Sequence, residues 1–309
     1  MNKVACPVCE ALESKVFGDY IATSDLLSGY YLTVCQSCDF TFLSPELSSV
    51  AWDTYNSNYF LLAHGGVNRA PITEAFHEGV AKIRLAHIKR EVGAEKLSFS
   101  RVLEIGPGTG YFADAFLKAS PDVDYYAVES DVSVWPELSR KGITVIPADA
   151  TNSVTGGFDL VVISHVLEHT LRPFSSLKAM TKSLNIGGLL FVEVPCRDQD
   201  YKKQHEPHVS FFSKVALETL AARANFTDVK VSFHGDILSD IKRYDFLRRV
   251  IIKLLTISGL DLIPPFGPNK DQVAEFELTR LQQLALSHSR PFVEQKQQSR
   301  WLRMTARKG

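Results

Sequence analysis

The 309-residue sequence carries no excess of charge of one sign, because 34 Lys and Arg residues balance 35 Asp and Glu residues. A chain without a basic surplus has no overall attraction to phosphate backbones, which argues against a dedicated nucleic-acid binder. Long apolar runs are also missing, since charged residues and a Pro pair interrupt the most apolar segment, residues 246–266. No secretory signal opens the sequence. We therefore expect a cytoplasmic protein without a transmembrane segment.

Cysteine is scarce, but four of the five cysteines stand in two pairs within the first 38 positions. The pairs are Cys6 with Cys9 and Cys35 with Cys38, each separated by two residues. Two such pairs suit one tetrahedral Zn²⁺ ion bound by four thiolates, which leaves no open position for chemistry. We predict a structural zinc site, with a redox pair as the alternative. Cys196 is expected to be a small apolar side chain.

From about residue 100, short β-rich runs alternate with helical stretches, a pattern that predicts a parallel sheet with helices on both faces. The expected strands are RVLEI, DYYAVE, ITVIP, FDLVVIS, GLLFVEV and VKVSF, followed by a last strand over residues 299–306. Apolar spacing also predicts a helix that begins at Pro71 and ends near Val92. The fold class is therefore α/β, doubly wound and Rossmann-like, with a seven-stranded sheet.

These patterns divide the chain into four parts. Residues 1–45 form the zinc module, 46–98 an aromatic and helical lead-in and lid, 99–235 plus 298–309 the α/β core, and 236–297 a helical insertion. The insertion has apolar residues at helical intervals, namely Phe246, Val250, Leu254 and Ile257. We expect it to complete a substrate pocket or a dimer contact, with membrane-surface binding as the lesser alternative.

The strongest chemical signal is a glycine-rich turn between the first core strand and the next helix. It reads Glu104-Ile-Gly106-Pro-Gly108-Thr-Gly110. Glycine lets the backbone approach a ligand closely, and a helix N-terminus offers free N–H groups. The spacing is not the G-x-G-x-x-G of a dinucleotide site, and a carboxylate at Glu104 disfavours a pyrophosphate but favours an ammonium group. These features point to S-adenosylmethionine.

Two further acidic residues follow successive strands and fit the same cofactor. Glu129 ends the second core strand, 19 residues after Gly110, where a carboxylate would accept both ribose hydroxyls. Asp149 follows the third strand, next to Ala150, and would accept a hydrogen bond from the adenine amino group.

At these residues the chain resembles the class I S-adenosylmethionine-dependent methyltransferases. LEIGPGTGYF matches the first family motif, Glu129 in AVESD the second, and FDLVVISHVLEHT followed by GGLLFVEVP the motifs of the fourth and fifth strands. The resemblance covers about residues 70–235 and the last strand, which it implies to be antiparallel. With its cysteine pairs the chain is similar to a subgroup that includes nucleotide-sugar C-methyltransferases and related bacterial small-molecule methyltransferases, which carry an N-terminal zinc-binding segment.

The run His165-Val-Leu-Glu168-His169 also matches the H-x-x-E-H pattern of a zinc peptidase family. Peptidase chemistry needs both histidines one turn apart on a helix, whereas this run begins at the end of an apolar strand, so we reject that interpretation. Ser164 and His165 are expected beside the methionine part of the cofactor. Glu168 and His169 are expected to cap and orient the following loop, where they could also contact substrate.

The loop after the fifth strand concentrates titratable groups in the run His205-Glu206-Pro207-His208. In the sugar C-methyltransferases a Glu-His pair followed by an aromatic-Phe-Ser run occupies this place, and the resemblance implies that His208 is the general base. Pro207 is a departure from that pattern, because it moves the Glu206 carboxylate one position away. His205 is the second candidate, and the alternative for His208 is a structural role toward loop backbone.

The sequence thus predicts methyl transfer from S-adenosylmethionine to a small hydroxylated metabolite, with a nucleotide-activated sugar or glycan as the first choice. One alternative is an RNA methyltransferase whose zinc module contacts nucleic acid, although residues 1–60 contain no Lys/Arg-rich stretch. Another is an S-adenosylmethionine-binding protein without turnover. A homodimer is the one protein partner that the insertion suggests.

Overall fold

The strands form two sheets in the computed structural model, which describes residues 4–64, 69–93, 98–147, 157–241, 250–251, 254, 276–287 and 289–309. The strands within these residues are β1 (Ser14–Asp19), β2 (Tyr31–Cys35), β3 (Thr41–Ser44), β4 (Arg101–Ile105), β5 (Asp124–Glu129), β6 (Thr144–Pro147), β7 (Phe158–Ser164), β8 (Leu184–Pro195), β9 (Ser210–Phe211), β10 (Phe226–Ile237), β11 (Glu294–Gln295) and β12 (Ser299–Lys308). The α-helices are α1 (Ser49–Ser57), α2 (Tyr59–His64), α3 (Pro71–Val92), α4 (Tyr111–Ala119), α5 (Trp135–Arg140), α6 (Pro173–Met180), α7 (Lys214–Arg223) and α8 (Arg280–Leu286). The helix predicted from Pro71 to about Val92 is therefore confirmed.

The larger sheet has the strand order β11-β10-β12-β8-β7-β4-β5-β6. Its strands from β8 to β6 are parallel, and β12 runs antiparallel to both β8 and β10. The predicted α/β class, the mostly parallel sheet and the antiparallel last strand are confirmed. The predicted count of seven strands is wrong, because β11 adds an eighth by pairing with Phe233 and His234. A strand of two polar residues has no alternating apolar pattern, so it leaves no signal in the sequence.

Apolar side chains on both faces hold this sheet between its helices. On one face Leu103 and Ile105 pack with Leu217 of α7, and on the other Val102 packs with Phe116 of α4. Each fully buried Leu or Phe contributes about 1.5–3 kcal/mol to stability. Because the strands are parallel, β4, β5 and β7 end at one edge of the sheet, where doubly wound folds bind ligands.

The smaller sheet joins the N-terminal segment to the core, with the strand order β1-β2-β3-β9. Its last strand, β9, comes from the loop after β8 and pairs antiparallel with Thr41 and Phe42 of β3. Phe211 of β9 is buried in one cluster with Leu32 of β2. The segment with the cysteine pairs therefore packs directly on the loop that carries His208.

Most of the insertion predicted over residues 236–297 lies outside the described residues, including Phe246 and Ile257 of its apolar spacing. Val250 and Leu254 are described, and they are 42% and 62% exposed. Near the end of this segment α8 packs against α3. Among the helices that the structure describes, none is both long and apolar enough to cross a membrane.

Candidate active site

The glycine-rich turn lies between the end of β4 and the start of α4. Gly106, Gly108 and Gly110 have φ angles of 66°, 58° and 78°, in the left-handed region that favours glycine. A Cβ atom on Gly106 would lie 2.6 Å from Cγ2 of Val166, which is too close for any side chain. The turn therefore presents bare backbone next to the free N–H groups at the start of α4.

The Glu129 carboxylate lies beside this turn, at the end of β5. Its Oε2 accepts a hydrogen bond from the Gly108 N–H at 3.2 Å, and its Oε1 accepts one from the Asp131 N–H at 2.9 Å. Burial raises the pKa of Glu129, while these backbone donors favour its charged form and limit the rise. The structure thus brings the residue predicted to bind ribose next to the glycine turn.

Glu104, which is predicted to face the ammonium group of the cofactor, accepts a hydrogen bond from a core side chain. Its carboxyl lies 2.8 Å from the Tyr125 hydroxyl, and the residue is 3% exposed. Burial raises the pKa of Glu104 from 4.5 to about 7. Near pH 7 it therefore brings less negative charge to the turn than a free glutamate would. Asp149 and Ala150, the predicted adenine contacts, lie outside the described residues.

Ser164 and His165 lie at the end of β7, where the methionine part of the cofactor is predicted. Ser164 is buried, and its Oγ has no hydrogen-bond partner among the described residues. His165 Nδ1 is 3.0 Å from Glu168 Oε1, and its Nε2 is 3.2 Å from Glu193 Oε1. Burial lowers the pKa of His165, but the hydrogen bonds to both carboxylates outweigh burial and raise it above its ordinary value.

Glu193, in the middle of this arrangement, is a residue that sequence reasoning missed. Its carboxylate pairs with Arg84 of α3 at 2.5 Å and with Arg303 of β12 at 2.6 Å. Burial alone would raise the pKa of Glu193, but the two arginines hold it well below its usual range. The available signal was a charged residue inside the apolar run GLLFVEV, because a buried charge requires a partner.

Asp198, a second missed residue, is the carboxylate that contacts His208. His208 Nδ1 lies 2.6 Å from Asp198 Oδ2, which also accepts from Lys202 at 2.8 Å. Both members of the pair are buried. Burial alone would raise the pKa of Asp198, but its interactions with His208 and Lys202 lower it well below its usual range. Ten positions separate the two residues, so their contact depends on the path of the loop and not on a local motif.

Glu206 and His205 face the N-terminal segment instead. Glu206 Oε2 accepts hydrogen bonds from the N–H groups of Thr23 at 2.7 Å and Ser24 at 2.8 Å. His205 Nδ1 accepts one from the Ile21 N–H at 3.0 Å. These contacts attach the loop to the N-terminal segment. Of the three candidate catalytic residues, the one that the structure pairs with a buried carboxylate is His208.

The four N-terminal cysteines converge on one point. Their Sγ atoms all lie within 4.8 Å of one another, with 3.6 Å between Cys6 and Cys38 and 3.5 Å between Cys9 and Cys35. None of them forms a disulfide. In both pairs the residue after the second cysteine donates its N–H to the carbonyl of the first, at 2.9 and 3.1 Å. Two matching turns thus present four thiols, a donor set that fits tetrahedral Zn²⁺.

Comparisons with known proteins found one matching family model and several solved structures of similar fold. Residues 78–231 match a family model described as a methyltransferase domain, and no curated protein sequence matches the chain. A solved structure of a possible histamine N-methyltransferase from Thermotoga maritima is 17% identical, with a TM-score of 0.48 over 84% of this chain and 98% of that one. A solved structure of a methyltransferase from Archaeoglobus fulgidus is 17% identical, with a TM-score of 0.45 over 72% of this chain and 93% of that one. The plantazolicin methyltransferase in complex with a pentazolic desmethylPZN analog and SAH is 13% identical, with a TM-score of 0.48 over 84% of this chain and 93% of that one.

The family match includes the glycine-rich turn, Glu129 and the loop that carries His208. Residues 78–231 are thus a methyltransferase domain, and the chain belongs to the methyltransferases.

Proposed function

We propose that this enzyme methylates a small hydroxylated metabolite, with a nucleotide-activated sugar or glycan as the acceptor and His208 as the general base of the metal-free protein. The observation that carries the proposal is the buried pair of His208 and Asp198, with 2.6 Å between Nδ1 and Oδ2. A hydroxyl acceptor must lose a proton when it is methylated, and a buried histidine held by a carboxylate is suited to accept it.

The cofactor would be bound by the glycine-rich turn and Glu129. The turn fits such a ligand because its three glycines, at φ angles of 66°, 58° and 78°, present backbone without side chains at the start of α4. Glu129 would accept the ribose hydroxyls. The Ser164 hydroxyl, which has no hydrogen-bond partner in the described part of the chain, would face the methionine part. When bound, S-adenosylmethionine supplies a methyl group that is already activated by the sulfonium.

The pairing of His208 with Asp198 fixes which ring nitrogen is available as a base. Nδ1 lies 2.6 Å from Asp198 Oδ2 and farther, 3.3 Å, from the Lys202 ammonium. Because the closer partner is a carboxylate, which only accepts hydrogen bonds, Nδ1 carries the proton and Nε2 carries the lone pair. As the acceptor oxygen attacks the methyl carbon, its proton passes to Nε2 and the carbon–sulfur bond breaks. General-base assistance of this kind accounts for about 10²–10⁴-fold in rate.

The N-terminal cysteines would hold one structural Zn²⁺ ion in the module formed by residues 1–45. Four thiolates complete a tetrahedral site, so this ion would take no part in methyl transfer. Its role would be to fix β2 and β3, and through the β3–β9 pairing also the loop that carries His208. We extend the proposal to the other parts as well: residues 46–98 cover the site, and residues 236–297 complete the acceptor pocket or a dimer contact.

The test is transfer of labelled methyl from S-adenosylmethionine to a panel of nucleotide sugars and simple glycosides. His208→Ala should lower turnover by about 10²–10⁴-fold while the affinity for S-adenosylmethionine is unchanged. Asp200→Asn is the matched control, because Asp200 lies two positions from Asp198 but pairs with Arg197 at 3.0 Å. Full activity of His208→Ala would remove the base assignment. A wild-type enzyme that methylates none of these acceptors would remove the acceptor class.

A further inference from the structure

We infer that Glu168, His169 and His208 form a binding site for a divalent transition-metal ion, separate from the cysteine site. One ligand atom of each residue lies within 4.8 Å of the other two. Metal–nitrogen and metal–oxygen bonds are about 2.0–2.2 Å, so shifts of less than about 1 Å bring all three ligands onto one ion. Two imidazoles and one carboxylate are a common ligand set for such ions and leave positions open for substrate.

The state of Glu168 supports a bound cation. The residue is 1% exposed, and its Oε1 lies 3.0 Å from His165 Nδ1. Its Oε2 is buried and has no hydrogen-bond partner among the described residues. A buried carboxylate oxygen without a partner is unfavourable, and a cation between Glu168 and the two histidines would remove that cost.

The two histidines are oriented as metal ligands by groups behind them. His169 Nδ1 lies 3.2 Å from the carbonyl oxygen of Pro207, and His208 Nδ1 lies 2.6 Å from Asp198. Both acceptors require a proton on Nδ1, so the lone pair of each ring is on Nε2. The rings stand 5.0 Å apart at 89°. A metal-binding histidine usually donates the N–H of its other ring nitrogen to a carboxylate or a carbonyl in this way.

Two side chains from the first 60 residues fix the backbone of both histidines. Trp52 Nε1 donates to the carbonyl oxygen of His169 at 2.5 Å, and the Tyr20 hydroxyl donates to that of His208 at 2.9 Å. The ligands come from two different loops, after β7 and after β8, so their spacing depends on these contacts. A rigid frame of this kind keeps ligands in place before an ion binds.

The role of the ion in catalysis rests on the proposed function. An acceptor hydroxyl bound at an open position would lose its proton to water more easily, because the ion lowers the pKa of the bound oxygen. The oxygen then attacks the methyl carbon, the carbon–sulfur bond breaks, and the neutral thioether leaves. An ion and a proton compete for the same lone pair on His208 Nε2. In the loaded enzyme the ion would therefore replace this histidine as the activating group.

Mn²⁺ is the probe, because it prefers nitrogen and oxygen ligands to a four-thiolate site. Full-length protein with one equivalent of Zn²⁺ per chain, which the four thiolates bind first, is titrated with Mn²⁺ and followed by electron paramagnetic resonance, which counts free ion. We expect one bound Mn²⁺ per chain. Glu168→Gln should weaken binding by at least 100-fold, and Asp198→Asn, which leaves all three ligands in place, by about 10–100-fold. Asp200→Asn should bind Mn²⁺ as the wild type does.

Two results would overturn the inference: no bound Mn²⁺ in folded wild-type protein, or Mn²⁺ affinities of Glu168→Gln and Asp198→Asn that equal the wild-type affinity. Circular dichroism on each variant separates loss of the site from loss of the fold. Failure of the proposed function looks different, since Mn²⁺ would still bind but no hydroxylated acceptor would be methylated. If the protein methylates an acceptor but binds no Mn²⁺, the metal site is absent and His208 remains the proposed general base.

Discussion

Replacing Glu104 by Gln should stabilise the enzyme above neutral pH, although Glu104 belongs to the glycine-turn motif. Burial raises the pKa of this carboxyl from 4.5 to about 7, so the folded state binds its proton more tightly than the unfolded state does. The stability that this proton contributes is fully present below pH 4.5 and is lost as the pH rises through 7. Glutamine keeps an acceptor for the Tyr125 hydroxyl at 2.8 Å and carries no charge.

The pKa difference sets the size of the effect. At 1.36 kcal/mol per pKa unit, a rise from 4.5 to about 7 corresponds to about 3 kcal/mol at pH 8.5 and less than about 1 kcal/mol at pH 5. Urea unfolding of both proteins at the two pH values measures this difference directly. Glu218→Gln, on the surface of α7 with a side chain 44% exposed, is the control and should change little at either pH. A variant that is less stable than the wild type at pH 8.5, or a difference that does not change with pH, would refute the reasoning.

Three further predictions concern the zinc module, the cofactor site and the buried charges. Cys35→Ser should remove the single zinc that metal analysis of purified protein is expected to find, and should also lower methyl transfer, because β3 pairs with β9. Glu129→Ala should weaken S-adenosylmethionine binding by about 1.5–3 kcal/mol, and Gly106→Val should abolish it. Calorimetric titration of both variants measures these affinities. Unchanged affinity in both variants would mean that the cofactor site is elsewhere. Glu193→Gln should lower the free energy of unfolding by about 3–5 kcal/mol, since Arg84 and Arg303 would lose their buried counter-charge. Equal denaturant midpoints for Glu193→Gln and wild type would contradict that last prediction.

Local patterns predicted most of the core fold. The parallel strands are buried on both faces, so they read as continuous apolar runs such as FDLVVIS, and Pro71 marks the start of α3. By contrast, β9 and β11 have two residues each and form only where other strands offer an edge. Their pairing depends on tertiary packing, which a local pattern does not encode.

In the candidate site, too, some residues were predictable from local patterns and others depend on tertiary packing. The glycine turn and Glu129 were predictable, because close backbone approach and a strand-end carboxylate are properties of single positions. The partner of His208 was not, since sequence proximity favoured Glu206 whereas the chain path brings Asp198 to the ring. Glu206 instead accepts hydrogen bonds from the N–H groups of Thr23 and Ser24, which are more than 180 positions away in the sequence.

Calorimetric titration of the zinc-loaded, full-length protein with S-adenosylmethionine tests the central assignment most directly. We expect one bound S-adenosylmethionine per chain in the wild type, where the Glu129 carboxylate lies beside the Gly108 N–H, and weaker binding in Glu129→Ala. A folded wild-type protein that binds no S-adenosylmethionine would contradict it.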